Sequence, residues 1–180
     1  MRVLGLDPGS RRTGWGVVEG EGNRFHAVAH GVVAPPSGKE LAPRLLAIVQ
    51  GVQKVMDETN PEAVVIEEAF YHESVRSTLV LGHVRGALLV AAAERGIEIG
   101  EYSPREIKLS VVGHGGATKE QVAFMVRRLL ALRGDVAADA ADALAAAICH
   151  LQRARRTPTA RAASAAGRRL EALLASRGRR

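Results

Sequence analysis

Four carboxylates stand where charged side chains are uncommon in a folded chain. Asp7 follows the apolar residues 3–6, and Glu67 follows a run of β-branched residues. Asp139 and Asp142 interrupt an alanine-rich stretch, and their spacing places them on one face of a helix. Four anions that converge repel one another unless hard cations neutralise them, and Mg²⁺ prefers carboxylate oxygens. The acids therefore predict a magnesium site with room for water and phosphate oxygens.

Each acid taken alone also has an ordinary structural explanation. Asp7 precedes Pro-Gly and could be a turn former, and Asp139 in a first helical turn is favoured by the helix dipole. Glu67 and Glu68 end a strand, and only one of them can point to each face of a sheet. Asp142 is harder to explain, because an alanine-rich helix face disfavours an acid by propensity and by burial. The metal-site hypothesis rests on the four acids jointly and leaves open whether Glu68 contributes.

Hydrophobic periodicity predicts the elements that must position these acids. Short apolar runs predict strands at residues 3–6, 13–19, 25–33, 63–66 and 97–102. Helical spacing predicts helices at residues 39–58, 74–94 and 137–151. Two capping boxes predict further helices that begin after Ser103 and Thr118. This order of elements predicts an α/β fold, with a mixed five-stranded sheet and helices on both faces.

Composition and charge divide the chain into two parts. The chain has 180 residues, of which 47% are hydrophobic and 24% charged, a balance typical of a folded soluble protein. Residues 153–180 hold nine arginines and one glutamate, whereas residues 1–152 carry a net charge of −2. We expect one domain over residues 1–152 and a basic, flexible tail over residues 153–180. Such a tail can bind phosphate backbones without reading sequence.

The cysteine content and the interrupted apolar runs indicate the cellular compartment of the protein. Cys149 is the single cysteine, so no internal disulfide can form, and no Cys/His spacing suggests a zinc site. Asp7 and Arg85 interrupt the most apolar runs, so neither a signal peptide nor a membrane span is expected. A cytoplasmic protein is therefore the expectation.

Five short motifs occur in order at residues 4–10, 13–16, 66–67 with Phe70, 113–119 and 139–145. Together they resemble the RuvC family of Holliday junction resolvases over residues 1 to about 150. The resemblance implies a ribonuclease-H-like fold, a homodimer, and an endodeoxyribonuclease that makes paired symmetric nicks in four-way DNA junctions during recombination and repair. It also implies two Mg²⁺ ions per active site, with Mn²⁺ as an alternative, and it assigns the catalytic metal ligands as Asp7, Glu67, Asp139 and Asp142.

The resemblance implies further contacts. Lys108 and Lys119 match basic residues near the scissile phosphate, and Lys119 lies at a helix N-terminus, where anions bind favourably. Phe70 matches an aromatic at the junction centre, where it would stack on an unpaired base, although it could equally cap the core. Arg76 is a further phosphate candidate or an ordinary surface residue. The family dimerises through the segment that is residues 74–94 here, and the RuvA and RuvB branch-migration proteins are the implied partners.

Three other functions compete with this interpretation. Residues 5–10 resemble the phosphate loop of actin-like ATP phosphotransferases, but that architecture needs two such domains, for which 180 residues are too few. A junction-binding protein without catalysis is disfavoured because all four acids are present. A relative that cuts RNA or single strands within the same fold stays open.

Overall fold

The computed structural model describes residues 1–21, 24–38, 40–68 and 74–156. Within these residues, the strands are β1 (Arg2–Asp7), β2 (Thr13–Glu21), β3 (Arg24–Val33), β4 (Ala63–Glu67) and β5 (Glu98–Tyr102). The helices are α1 (Leu41–Thr59), α2 (Val75–Ala93), α3 (Pro104–Val112), α4 (Lys119–Leu129) and α5 (Ala138–Arg156). Helix α1 lies between β3 and β4 in the chain, and α2 lies between β4 and β5.

The five strands form one mixed sheet in the spatial order β3-β2-β1-β4-β5. β1 to β3 form an antiparallel meander, and β4 and β5 add to β1 in parallel. The parallel pair of β4 and β5 requires a crossover, which α2 supplies. The predicted mixed five-stranded sheet is therefore confirmed.

Helices cover both faces of the sheet. Because strand side chains alternate, β1 directs Val3 to one face and Leu4 and Leu6 to the other. Leu4 and Leu6 belong to the core beneath α1 and α2, whereas Val3 belongs to the core beneath α3, α4 and α5. The prediction of helices on both faces is confirmed.

Helix α5 lies close against β1 and β2 because small residues meet there. A Cβ atom added at Gly5 would lie 1.9 Å from the carbonyl oxygen of Ala143. A Cβ atom added at Gly14 would lie 2.0 Å from the carbonyl oxygen of Asp139. No side chain fits in either place, so the first half of α5 is fixed against the sheet.

The predicted elements agree with the observed ones within two residues, except at the end of α5. This helix was expected to end at residue 151 but continues to Arg156, so the domain boundary expected after residue 152 falls inside it. Beyond residue 151 the apolar pattern of α5 ends, and contacts of charged side chains hold the last turns of the helix in place. Arg153 pairs with Glu106 at 2.9 Å, and the guanidinium of Arg155 lies 4.3 Å from the centre of the Phe25 ring. Arg153 and Arg155 therefore pack on the domain.

Among the described helices, α2 has the length and composition of a membrane span, with a mean hydropathy of 1.3. The sequence argument against a span relied on Arg85, whose guanidinium pairs with Glu101 of β5 in the fold. A single helix that meets this criterion is weak evidence for a membrane, and an exposed apolar helix face is also typical of a protein interface.

Candidate active site

The ends of two parallel strands bring Asp7 and Glu67 to the same edge of the sheet. β1 and β4 are neighbours, with Leu6 paired with Ile66, so the acids that follow occupy equivalent positions. Gly5 and Val65 face α5, and side chains two residues apart share a face. Asp7 and Glu67 therefore both point toward the face that α5 covers.

Glu68 is placed differently from Glu67. It follows the last residue of β4, and its backbone N–H donates to the carbonyl oxygen of Tyr102 at 2.9 Å. By strand alternation its side chain belongs to the opposite face from Glu67. The geometry thus favours Glu67, the residue that the family resemblance assigned.

Helix α5 adds Asp139 and Asp142 from its first two turns. They lie on one helix face, as the spacing predicted, and both side chains are partly buried. The glycines of β1 and β2 let this part of the helix approach the strand ends closely. All four predicted acids therefore gather at one end of the sheet, although they come from widely separated parts of the chain.

The acids are close enough to perturb one another. Burial raises the pKa of Asp7 to about 8, with further increases from the charges of Glu67, Asp142 and Asp139. Burial also raises the pKa of Glu67 to about 7, and the charge of Asp142 adds to that effect. The chain's own cations therefore leave the cluster short of positive charge.

Among the described residues, three cations lie near these acids. Lys119 Nζ is 3.3 Å from Asp142 Oδ2, and this pairing raises the pKa of Lys119. The positive charge of Lys108 offsets a small part of the rise in the pKa of Glu67, so Lys108 lies within electrostatic range of that carboxylate. The structure thus brings both predicted lysines to the acidic cluster.

The third cation, Arg12, was missed by the sequence analysis. Its Nε donates to Asp139 Oδ2 at 2.7 Å across 127 residues of sequence. Arg12 lies on the loop between β1 and β2, whose backbone is fixed because Thr13 Oγ1 donates to the carbonyl oxygen of Gly9 at 2.8 Å. The sequence offered only one signal for Arg12, its place in the loop that follows Asp7.

The donor set fits a hard divalent cation, although the side chains as they lie do not enclose one. Within the described residues, no group of three or more His, Cys, Asp or Glu side chains is gathered tightly enough to hold a metal ion. Asp139 and Asp142 are instead engaged with Arg12 and Lys119. Four carboxylates whose charge is only partly compensated match the oxygen ligands of Mg²⁺ or Mn²⁺. We conclude that the residues fit such an ion once these two carboxylates leave their cationic partners.

Two predicted DNA contacts are not brought to the cluster by any described contact. Arg76 is exposed in the first turn of α2 and has no hydrogen bond or ion pair within the described part of the chain. Phe70 belongs to residues 69–73, which lie outside the described residues.

Other candidate catalytic side chains are committed to packing. Cys149 is fully buried, and burial raises the pKa of its thiol, which disfavours the nucleophilic thiolate. His150 is buried, with its Nδ1 3.0 Å from the hydroxyl oxygen of Tyr102. These two residues therefore belong to the core beneath α5.

Comparison with known proteins identifies the family. Residues 3–150 match the family model described as crossover junction endodeoxyribonuclease RuvC. A relative of that name from Caulobacter sp. (strain K31) is 51% identical over 150 residues, covering 83% of this chain and 89% of the relative.

Solved structures agree. The Thermus thermophilus RuvC structure is 38% identical, with a TM-score of 0.79 over 87% of this chain and 96% of that one. T. thermophilus RuvC in complex with Holliday junction substrate is 37% identical, with a TM-score of 0.82 and the same coverage. The fold is thus the ribonuclease-H-like fold of these resolvases, and the chain belongs to the RuvC family of crossover junction endodeoxyribonucleases.

Proposed function

We propose that this chain resolves four-way DNA junctions by metal-assisted hydrolysis at Asp7, Glu67, Asp139 and Asp142. One observation carries the proposal. Acids from two strand ends and one helix meet at the same edge of the sheet, and burial together with repulsion among them raises the pKa values of Asp7 and Glu67. The substrate class is supported by the T. thermophilus relative, which was solved with a Holliday junction.

The four carboxylates would hold two Mg²⁺ ions, with Mn²⁺ as an alternative. When bound, such ions activate a water molecule and compensate charge on the leaving oxygen. The fold holds the four carboxylates in position. Because β1, β4 and α5 are packed together, the acids that they carry stay close to one another. Burial of Asp7 and Glu67 also keeps bulk water from screening the site.

Lys119 and Lys108 would hold the DNA backbone beside the acids. Lys119 is the first residue of α4, where unpaired backbone N–H groups favour an anion. Its raised pKa keeps the ammonium group charged, and its side chain is 79% exposed. Both lysines are therefore suited to bind a phosphate at the edge of the acidic cluster. Phe70 and Arg76 stay proposed as a base-stacking residue and a phosphate contact.

A homodimer follows from the reaction and is supported by the surface of α2. Two symmetric cuts in one junction require two active sites related by a twofold axis. Helix α2 carries an apolar stripe at spacings of three and four, formed by Val75, Leu79, Gly82, Gly86, Val90 and Ala93, all of which are exposed except the half-buried Gly86. A Cβ atom at Gly82 or Gly86 would meet no described atom within 4 Å. We therefore propose that the stripe of α2 packs against a second copy.

Two further parts of the proposal rest mainly on the family. A protein that cuts migrating junctions would cooperate with the RuvA–RuvB branch-migration complex. It would also act in the cytoplasm, which agrees with the single buried Cys149.

The test is a cleavage assay on labelled four-way, three-way and duplex DNA of matched sequence, in Mg²⁺ and in EDTA. We expect paired cuts in the four-way junction with Mg²⁺ and none in EDTA. Equal cutting of all three substrates would contradict junction selectivity. Binding without cutting in any divalent ion would favour a junction-binding protein that lacks catalysis.

A further inference from the structure

Arg12 stands at the acidic cluster with no role assigned to it so far. We infer that Arg12 is a DNA-backbone contact which Asp139 holds in the metal-free protein and releases when a divalent ion takes that carboxylate. The inference rests on the proposed metal site. It adds a residue to the DNA-binding surface and couples that surface to the metal.

The contact with Asp139 leaves part of the Arg12 guanidinium available to bind another anion. Its Nε donates to Asp139 Oδ2 at 2.7 Å, and the Arg12 side chain is 57% exposed. A guanidinium has five N–H donors, and within the described residues the two terminal nitrogens of Arg12 make no hydrogen bond. Those nitrogens can donate hydrogen bonds to a phosphate in the bidentate geometry that guanidinium groups favour.

The loop keeps Arg12 at the site after release. Thr13 Oγ1 donates to the carbonyl oxygen of Gly9, and the Arg44 guanidinium donates to the carbonyl oxygen of Ser10. A Cβ atom at Gly9 would lie 2.1 Å from the carbonyl oxygen of Arg12, so the loop is tightly closed. The guanidinium therefore stays at the edge of the sheet where Asp7 and Asp139 lie.

Competition for Asp139 supplies the coupling. A metal ion and a guanidinium repel each other, and both bind the same carboxylate oxygens. The exposed ion pair is weakly held, so a divalent ion displaces Arg12 at little cost. Because linkage is reciprocal, a phosphate that draws Arg12 away frees Asp139 and strengthens metal binding. Metal and DNA should then bind with positive cooperativity through this pair.

The test compares Arg12→Gln with Arg11→Gln. Arg11 is the adjacent exposed arginine, it carries the same charge on the same loop, and it has no ion pair within the described residues. Circular dichroism and thermal unfolding verify that both variants fold, as expected for surface positions.

The first measurement is calorimetric titration of Mn²⁺ into each protein without DNA. Arg12→Gln should bind the ion about two- to fivefold more tightly than Arg11→Gln, because Asp139 has lost its competing partner. An affinity equal to or weaker than that of Arg11→Gln would overturn the inference.

The second measurement is fluorescence anisotropy of a labelled four-way junction, in EDTA and in Ca²⁺, with gels run in parallel to verify that the DNA is uncut. Wild type and Arg11→Gln should bind more tightly in Ca²⁺ than in EDTA, and Arg12→Gln should lose most of that gain. A gain that Arg12→Gln retains in full would also overturn the inference.

A failure of the proposed role of Arg12 can be distinguished from a failure of the proposed nuclease function. If Asp7→Asn still cuts junctions at the wild-type rate, the proposed metal site is wrong. If Asp7→Asn is inactive while Arg12→Gln behaves like Arg11→Gln in both measurements, only the role of Arg12 is wrong.

Discussion

At the residue scale, the site is defined by negative charge that the folded chain only partly neutralises. Lys119 and Arg12 pair with the two helix acids, whereas Asp7 and Glu67 carry raised pKa values of about 8 and about 7. Because the acids are partly buried, their ionisation without a metal opposes folding. The proposed metal site therefore lowers the stability of the metal-free protein.

This balance predicts how the stability of the metal-free protein depends on pH. Folded Asp7 keeps its proton up to about pH 8, whereas in the unfolded chain it loses the proton near its ordinary pKa of 3.8. The folded state then binds more protons than the unfolded state, so the free energy of unfolding falls as pH rises between these values. Urea denaturation in EDTA across this window measures the effect.

The matched control is Asp7→Asn, whose amide does not ionise. Its stability should fall less steeply with pH, and above pH 8 it should exceed that of the wild type. A wild-type stability that rises relative to that of Asp7→Asn across the window would contradict the pKa assigned to Asp7.

Glu67 and Glu68 provide a second prediction. Glu67→Gln should reduce cleavage by at least about a thousandfold, the order expected when a group acting on transition-state charge is lost. Glu68→Gln should cut at close to the wild-type rate, because that residue leaves β4 on the other face. Single-turnover cleavage of a four-way junction measures both, and the reverse ranking would show that the face assignment of the two acids is wrong.

The sequence predicts the four acids and the two lysines near them, but not the third cation, Arg12. Strand ends and helix spacing are local patterns, so Asp7, Glu67 and the pair on α5 can be found without a structure. The contact between Arg12 and Asp139 joins residues 127 positions apart. Local periodicity carries no information about such a contact, which depends on how α5 crosses the ends of β1 and β2.

At the element scale, α5 and α2 show what periodicity can predict. The start of α5 follows from its alanine-rich stretch, but its last turns depend on Arg153 and Arg155, whose partners lie on other elements. For α2, the sequence indicates an apolar helix with closely spaced glycines. Only the fold shows that Gly82 and Gly86 face open space rather than another helix of the described chain.

The apolar stripe of α2 predicts the effect of Gly86→Leu. A side chain at this position meets no described atom within 4 Å, so the monomer should fold normally. The leucine would hold a second copy of α2 away, so the protein should shift toward monomer, and paired cuts should become single nicks or disappear. Sedimentation velocity and a supercoiled cruciform assay measure the two effects.

Ser77→Leu is the matched control, since Ser77 is exposed on α2 but off the stripe. It should remain dimeric and make paired cuts. A Gly86→Leu protein that does the same would place the dimer interface elsewhere.

At the scale of the whole molecule, charge is divided between the domain and the end of the chain. Residues 157–180 lie outside the described residues, including Leu170, Leu173 and Leu174, whose spacing is consistent with a short helix. We propose that the nuclease domain includes all of α5 and that the basic tail begins after Arg156. The tail's arginines would then add affinity for DNA without selecting a site.

Deletion of residues 157–180 tests this division. The shortened protein should stay folded and cut junctions in Mg²⁺, while its junction affinity falls and depends less steeply on salt. Deletion from residue 153 is the matched comparison, because it also removes the contacts of Arg153 and Arg155 with Glu106 and Phe25. That protein should unfold at a lower temperature, and failure of the 157–180 deletion to fold would show that the tail is structural.

We propose that the gathered acids perform metal-dependent cleavage and are not needed to hold the DNA. The most direct measurement compares junction binding in EDTA and junction cleavage in Mg²⁺ for the wild type and for Asp7→Asn, Asp139→Asn and Asp142→Asn. Each variant should bind a labelled four-way junction within about threefold of the wild type, because each substitution removes a proposed metal ligand and not a contact with the DNA backbone. Each should make no cuts in the time in which the wild type cuts every junction. Cleavage at the wild-type rate by the Asp7→Asn or Asp142→Asn protein would contradict the account.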